Sequence, residues 1–212
     1  MTGIRGLYAV IDTTYVPFDG IGQAARAIIS GNARILQLRA KELPSGRMLA
    51  AARLLRGITL ESGVTFIVND RVDVAMMSRA DGVHLGQDDI PLAGARALLG
   101  KGAIIGVSTH NPAEAAQAQK SGADYISFGP IFPTKTKKDA HSPQGLSRLR
   151  ELHKMSALPI VAIGGITAEN VAGIFSHGAA SAAIVSGILT ATDMKGKTAE
   201  IAARIEACMG HR

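Results

Sequence analysis

Ala123-Asp124-Tyr125-Ile126-Ser127-Phe128 carries the chain from the end of one helical pattern into a short apolar run, and Ala80-Asp81-Gly82-Val83 repeats the same turn. Working outward from these two copies, apolar runs recur at 7–11, 35–38, 65–68, 83–85, 103–107, 125–128, 160–163 and 182–185. They are near-continuously apolar rather than alternating, the pattern of parallel strands covered on both faces. Amphipathic segments separate most of them, as at 113–121, and another follows the last at 198–208. Gly31-Asn32-Ala33, Gly122-Ala123 and Gly178-Ala179 stand where helices end, glycine being suited to the left-handed residue that terminates them. Strand and helix alternating eight times, at roughly 25 residues per unit, predict a closed (β/α)₈ TIM barrel. No linker interrupts the rhythm, so one domain over residues 1–212 is expected. A doubly wound open sheet is the alternative.

The chain of 212 residues is long enough for a substantial core, and Ala, Val, Ile and Leu supply it without any Trp. Its net charge of +6 and pI near 9.7 suit polyanionic ligands. The basic residues are scattered, with no run of like charge, which argues against nucleic acid. Cys208 is the only cysteine, so no intramolecular disulfide or cysteine-based zinc site can form, and a reducing compartment is expected. The N-terminal apolar run is too short for a signal peptide and no stretch approaches membrane-spanning length, which predicts a cytoplasmic protein that does not engage membranes. A homo-oligomer is allowed by the sequence and not specified by it.

One interval is stretched. After the run ending at Phe128 comes Gly129-Pro130-Ile131-Phe132-Pro133-Thr134-Lys135-Thr136-Lys137-Lys138. Proline cannot donate to a sheet ladder, so pairing stops there. Hydroxyls then alternate with ammonium groups on a long loop at a strand end, a composition that suits a phosphate or diphosphate. In a parallel barrel all strand C-termini open on one face, so the residues at and after each strand end are candidates for one site. These are Gln37, Arg39 and Lys41; Asn69, Asp70 and Arg71; Gln87, Asp88 and Asp89; Ser108 and His110; Thr134, Thr136 and Lys137; Gly164-Gly165; and Ser186-Gly187. Asp70 and Asp89 each stand where they could cap a following helix. Two carboxylates on adjacent strand ends equally suit Mg²⁺, which takes one or two carboxylates with water and phosphate oxygens. Gly164-Gly165 and Ser186-Gly187 match the location where barrel backbones bind a phosphate. His84, inside a strand, reads as a satisfied core histidine; His153, His177 and His211 read as surface residues; Met76-Met77 reads as core packing.

Gln37-Leu38-Arg39-Ala40-Lys41, Asn69-Asp70-Arg71-Val72-Asp73, Gly82-Val83-His84-Leu85-Gly86-Gln87-Asp88-Asp89 and Gly106-Val107-Ser108-Thr109-His110 resemble the motifs of thiamine-phosphate synthases. So do the Gly129-to-Lys138 stretch, Ile163-Gly164-Gly165-Ile166 and Val185-Ser186-Gly187-Ile188. The resemblance implies a barrel that joins 4-amino-2-methyl-5-hydroxymethylpyrimidine diphosphate to a (carboxy)thiazole phosphate, releasing diphosphate. It implies that Gln37, Leu38, Arg39, Ala40, Lys41, Asn69, Ser108 and Lys137 hold the pyrimidine diphosphate, with Arg39, Ser108 and Lys137 catalytic. It further implies that Asp70 and Asp89 carry Mg²⁺, and that Thr134, Thr136, Gly165, Val185 and Ser186 receive the thiazole phosphate. The implied chemistry is dissociative: diphosphate departs and the thiazole nitrogen captures a pyrimidine carbocation. Ala40 stands where many relatives have an acidic residue, Asp88 where Glu is frequent, and Gly187 where Ala is common. A glycine there also occurs in the sister thiazole tautomerases, in which a histidine matching His110 acts as acid or base. Those proteins typically lose the diphosphate and metal residues that this sequence retains.

Overall fold

The computed structural model describes residues 3–134, 136 and 142–210. Each apolar run is a strand: β1 (Gly6–Asp12), β2 (Ile35–Arg39), β3 (Thr65–Asn69), β4 (Gly82–Leu85), β5 (Ile104–Thr109), β6 (Tyr125–Phe128), β7 (Ile160–Ile163) and β8 (Ser181–Ile184). All neighbours pair in parallel, and β8 pairs with β1 to close the barrel. The helices are α1 (Ile21–Ser30), α2 (Ser45–Ser62), α3 (Val72–Ser78), α4 (Leu92–Leu99), α5 (Pro112–Lys120), α6 (Gly145–Met155), α7 (Val171–Ser176), the short α8 (Ser186–Leu189) and α9 (Met194–Met209). The open-sheet alternative is thereby excluded. No helix among the described residues is long and apolar enough to cross a membrane.

Strand side chains alternate between two cores. Leu7, Ala9, Ile11, Leu36 and Leu38 face outward into the layer between sheet and helices. Tyr8, Val10 and Ile35 face inward, with Ile67, Tyr125, Val161 and Ala183. The register sets Val10 beside Gln37 and Asp12 beside Arg39, so the inward rows become polar towards the C-terminal face. Strands β1, β2, β3 and β5 run one or two residues past their apolar runs, into Asp12, Arg39, Asn69 and Thr109. Backbone pairing does not require an apolar side chain, so the strands continue through these polar positions.

The two repeated turns do the same work at the N-terminal face. Asp81 accepts from the backbone N–H of Phe66 at 2.8 Å and from Arg56 at 2.9 Å. Asp124 accepts from Ile105 N–H and from Arg96, both at 2.7 Å. Each aspartate thus ties a helix to the preceding strand of the barrel. Gly122 and Gly178 hold the expected left-handed backbone (φ 85° and 97°), but at the third join Asn32 takes it (φ 71°) in place of Gly31.

The core assignment of Met76 and Met77 is corrected: they are 49% and 52% exposed. Helix α3 buries Val72, Val74, Ala75 and Ser78, which leaves its two methionines on the outer face. His84 is buried and hydrogen-bonded, as expected, yet it also reaches the cavity described below. His153 is exposed; His177 is half-buried, its ring nitrogen bonded to the Gly173 carbonyl; His211 lies outside the described residues.

Gly106 fixes how the lumen is filled. A Cβ there would meet the Tyr125 ring at 2.0 Å, so the absence of a side chain on β5 is what admits that ring. Gly106→Ala is expected to destabilise the fold by about 1–3 kcal/mol, the scale of an overpacked core. Chemical denaturation measures this, and an unchanged midpoint would contradict it.

Candidate active site

The C-terminal ends of the strands surround a cavity of about 530 Å³. It gathers nearly all the residues read from the strand ends: Gln37, Arg39, Lys41, Asn69, Asp70, Gln87, Asp88, Asp89, Ser108, His110, Thr134, Thr136, Gly164, Gly165, Val185, Ser186 and Gly187. Leu38 and Ala40 do not line it. Leu38 takes the outward face of β2, and Ala40, just past the strand's end, is buried in the same outer core, so any contribution from them is through the backbone. Lys137 lies outside the described residues, as do Lys135 and Lys138.

On one side two carboxylates are set together. Asp70 occupies a left-handed backbone position (φ 63°), uncommon for a residue with a side chain, held by its N–H donating to the His84 carbonyl at 2.8 Å. Asp89 is anchored by the Gly86 N–H, 2.7 Å from its Oδ2. Neither caps a helix: the N-cap positions of α3 and α4 are Arg71 and Pro91, and neither makes a side-chain cap bond. Burial, and then the neighbouring Asp89, push the Asp70 carboxyl above its ordinary value; Lys41, 3.3 Å away, offsets this only in part. Beside them Arg39 is ion-paired with Asp12, whose other oxygen accepts from Thr14 N–H at 2.9 Å.

Among the described residues, the lining sets Arg39 and Lys41 against Asp12, Asp70, Asp88 and Asp89. An anionic ligand would meet excess negative charge there unless a cation accompanied it. No group of three or more His, Cys, Asp or Glu among the described residues could hold a metal. Two facing carboxylates alone fit Mg²⁺, which completes its octahedron with water and phosphate oxygens, and do not fit a metal needing an all-protein cage.

Hydroxyls and glycines form the opposite wall. Thr134 Oγ1 donates to Thr136 Oγ1 at 3.2 Å, and Thr136 Oγ1 lies 3.2 Å from Ser186 Oγ. Gly165 has φ 65°, and a Cβ on it would meet the Pro133 carbonyl oxygen at 2.5 Å, so this close approach needs glycine. Asn170 clamps the turn, donating to the Gly165 carbonyl at 2.9 Å and accepting from Thr167 N–H at 2.8 Å. Among the described residues this wall offers donors and no carboxylate, which suits a phosphate monoester. His110 is held at the rim by a helix cap: Asn111 caps α5, and Glu114 reaches back to His110 N–H and Nδ1 at 2.8 and 2.9 Å.

Asp12, Tyr8, Tyr125, Ser127, Thr167 and Asn170 are additions to the residues read from sequence. Asp12 was legible, since it directly follows the first apolar run, as Arg39 does the second. The tyrosines looked like ordinary strand residues.

A profile of the thiamine monophosphate synthase family matches residues 7–188. The thiamine-phosphate synthase of Pelotomaculum thermopropionicum is 48% identical over 178 residues, covering 84% of this chain and 82% of that protein. That of Moorella thermoacetica is 43% identical over 188 residues, covering 89% and 90%. The solved structure of thiamine phosphate pyrophosphorylase from Pyrococcus furiosus superposes with a TM-score of 0.90 at 35% identity, covering 97% of this chain and 98% of that one.

Asp70 provides a test without any substrate. Its raised value means the folded chain binds more protons than the unfolded one between the ordinary carboxylate range and that value. Stability therefore falls as pH rises through this window, and the loss persists above it. Asp70→Asn should raise the melting temperature in chelator at pH 7 by about 2–4 °C, the scale of ~1 kcal/mol in a chain of this size. A lower melting temperature would show that the charged carboxylate stabilises the fold.

Proposed function

The chain belongs to the thiamine monophosphate synthase family, and from that premise we propose that it condenses 4-amino-2-methyl-5-hydroxymethylpyrimidine diphosphate with a thiazole phosphate, giving thiamine phosphate and diphosphate. The observation that carries this reading is the division of one cavity into two unlike anion sites. The carboxylate pair with Lys41 and Arg39 suits a diphosphate accompanied by a cation, and the hydroxyl wall suits a monoester. An isomerase acting on thiazole phosphate alone has no use for the first. Neither the geometry nor the relatives favour the tautomerase alternative.

In this reading Gln37, Arg39, Lys41, Asn69 and Ser108 hold the pyrimidine diphosphate, joined by Lys137 from the long loop. Asp70 and Asp89 would hold Mg²⁺, which when bound neutralises charge on the diphosphate. Lys41 and Lys137 stabilise the negative charge that grows as the carbon–oxygen bond breaks. Arg39, fixed by Asp12, approaches the diphosphate from a set direction, which spares the cost of ordering a long side chain during reaction. Thr134, Thr136, Gly165, Val185 and Ser186 seat the thiazole phosphate so that the ring nitrogen meets the pyrimidine carbocation as diphosphate leaves. Little proton transfer is required, which fits a site whose charged groups mostly bind anions. A cytoplasmic setting agrees with the single cysteine, Cys208.

Mixing both substrates with the purified chain and Mg²⁺ is expected to yield thiamine phosphate and diphosphate, and chelation should abolish turnover. Asp89→Asn should lower kcat sharply, with partial recovery at high Mg²⁺ by mass action. Full activity of this variant in chelator would remove the metal from the reading, and isomerised thiazole without thiamine phosphate would replace the reaction. Lys137→Ala should slow bond cleavage at least about 100-fold, with smaller effects from Lys135→Ala and Lys138→Ala. Equal losses in all three would mean diffuse attraction and no defined contact.

A further inference from the structure

The cavity floor is a continuous row of side-chain hydrogen bonds drawn from five strands. Gln37 Nε2 donates to the Tyr8 hydroxyl at 2.7 Å, and the Tyr8 and Tyr125 hydroxyls are 3.0 Å apart. The Tyr125 hydroxyl lies 2.9 Å from Nδ1 of His84, whose Nε2 lies 3.0 Å from Ser108 Oγ and 3.3 Å from Ser127 Oγ. All six residues line the cavity. Burial pushes both tyrosine hydroxyls well above the ordinary phenol range, so each keeps a proton to donate.

The row has a direction. An amide NH₂ cannot accept, so Gln37 uses one lone pair of Tyr8. Of the hydroxyl's two side-chain partners among the described residues only Tyr125 can accept, so the arrangement that satisfies every proton points the Tyr8 proton to Tyr125. In the same arrangement Tyr125 gives its own proton to Nδ1 of His84, its other side-chain partner among the described residues. With Nδ1 accepting, the neutral ring carries its proton on Nε2 and donates to Ser108 Oγ. The hydroxyl proton of Ser108 is left for the cavity, and so is Oε1 of Gln37. Turning the Gln37 amide over would reverse every bond in the row and exchange donor for acceptor at both ends. The two ends are therefore coupled across the barrel, although they belong to different strands.

We propose that Tyr8, Tyr125 and His84 are positioning residues that lock an acceptor at Gln37 and a donor at Ser108, and so select an amino- over an oxo-pyrimidine diphosphate. This rests on the reading that Gln37 and Ser108 hold the pyrimidine. An aminopyrimidine brings an N–H to Gln37 Oε1 and a ring-nitrogen lone pair to the Ser108 proton. A 4-oxo ring sets a carbonyl oxygen against Oε1, two acceptors face to face. Relieving that clash by turning the amide reverses the whole row, so no single residue can adapt alone.

The test compares kcat/KM for the 4-amino and 4-oxo pyrimidine diphosphates in the wild type, Tyr8→Phe and Tyr125→Phe. The intrinsic difference in reactivity is common to all three proteins and cancels between them. The wild type should favour the amino substrate by at least about 100-fold. Each Phe variant should cut that preference about 10-fold or more, because Gln37 is then free to turn. Equal losses on both substrates, leaving the preference unchanged, would overturn the proposal and make the tyrosines merely structural. Gln37→Ala separates the premise: an unchanged KM for the amino substrate would mean that Gln37 does not hold the pyrimidine at all. Nitrogen-15 NMR of the His84 ring reads the row without turnover. A proton on Nε2 and a bare Nδ1 are expected, and the opposite tautomer would overturn the assigned direction.

Discussion

A closed barrel has no strand edge through which an inward side chain can escape, so the lumen must satisfy every group that enters it. Here the lower lumen is filled by Ile4, Ile35, Ile67 and Val161, with Tyr8 and Tyr125 standing among them. The tyrosine rings belong to that packing and their hydroxyls do not. Each hydroxyl, raised to the floor of the cavity, has to be met by a polar neighbour, and Gln37 and His84 meet them. The missing side chain of Gly106 admits the Tyr125 ring. Packing below and polarity above are thus joined in the same two residues.

Electrostatics divides the space over that floor. Carboxylates crowd one side, and the raised Asp70 shows that the fold holds them together at a cost. A half-buried charge cluster of that kind is tolerable when a ligand completes it. Among the described residues the other wall is neutral, built from threonine and serine hydroxyls and a glycine turn clamped by Asn170. In the proposed reading, a polyanion with a cation and a simple phosphate would be told apart by charge before any ring is recognised.

The N-terminal face carries the complementary burden. Arg56–Asp81 and Arg96–Asp124 each tie helix to strand at the end of the barrel away from the candidate site, and the same turn sequence produces both. Stability and site are therefore held at opposite ends of the strands, and changes to one need not disturb the other.

The sequence by itself determined the eight strands, their closure as a barrel and most of the polar strand-end residues, because each signal is local: apolar runs, helix ends and residues just beyond them. The Asp70–Asp89 pair and the hydroxyls at Thr134, Thr136 and Ser186 were legible in that way. Leu38, named within the same motif as Gln37 and Arg39, lies on the far face because strand side chains alternate, and Ala40, just past the strand's end, is buried in the outer core too. Met76 and Met77 face outward because α3 buries its other side. Only the tertiary structure decided that Asp12 ties Arg39, and that Tyr8 and Tyr125 meet across 117 positions of chain. Which inward residues touch depends on the register and closure of the whole barrel, and no window of sequence contains that distance.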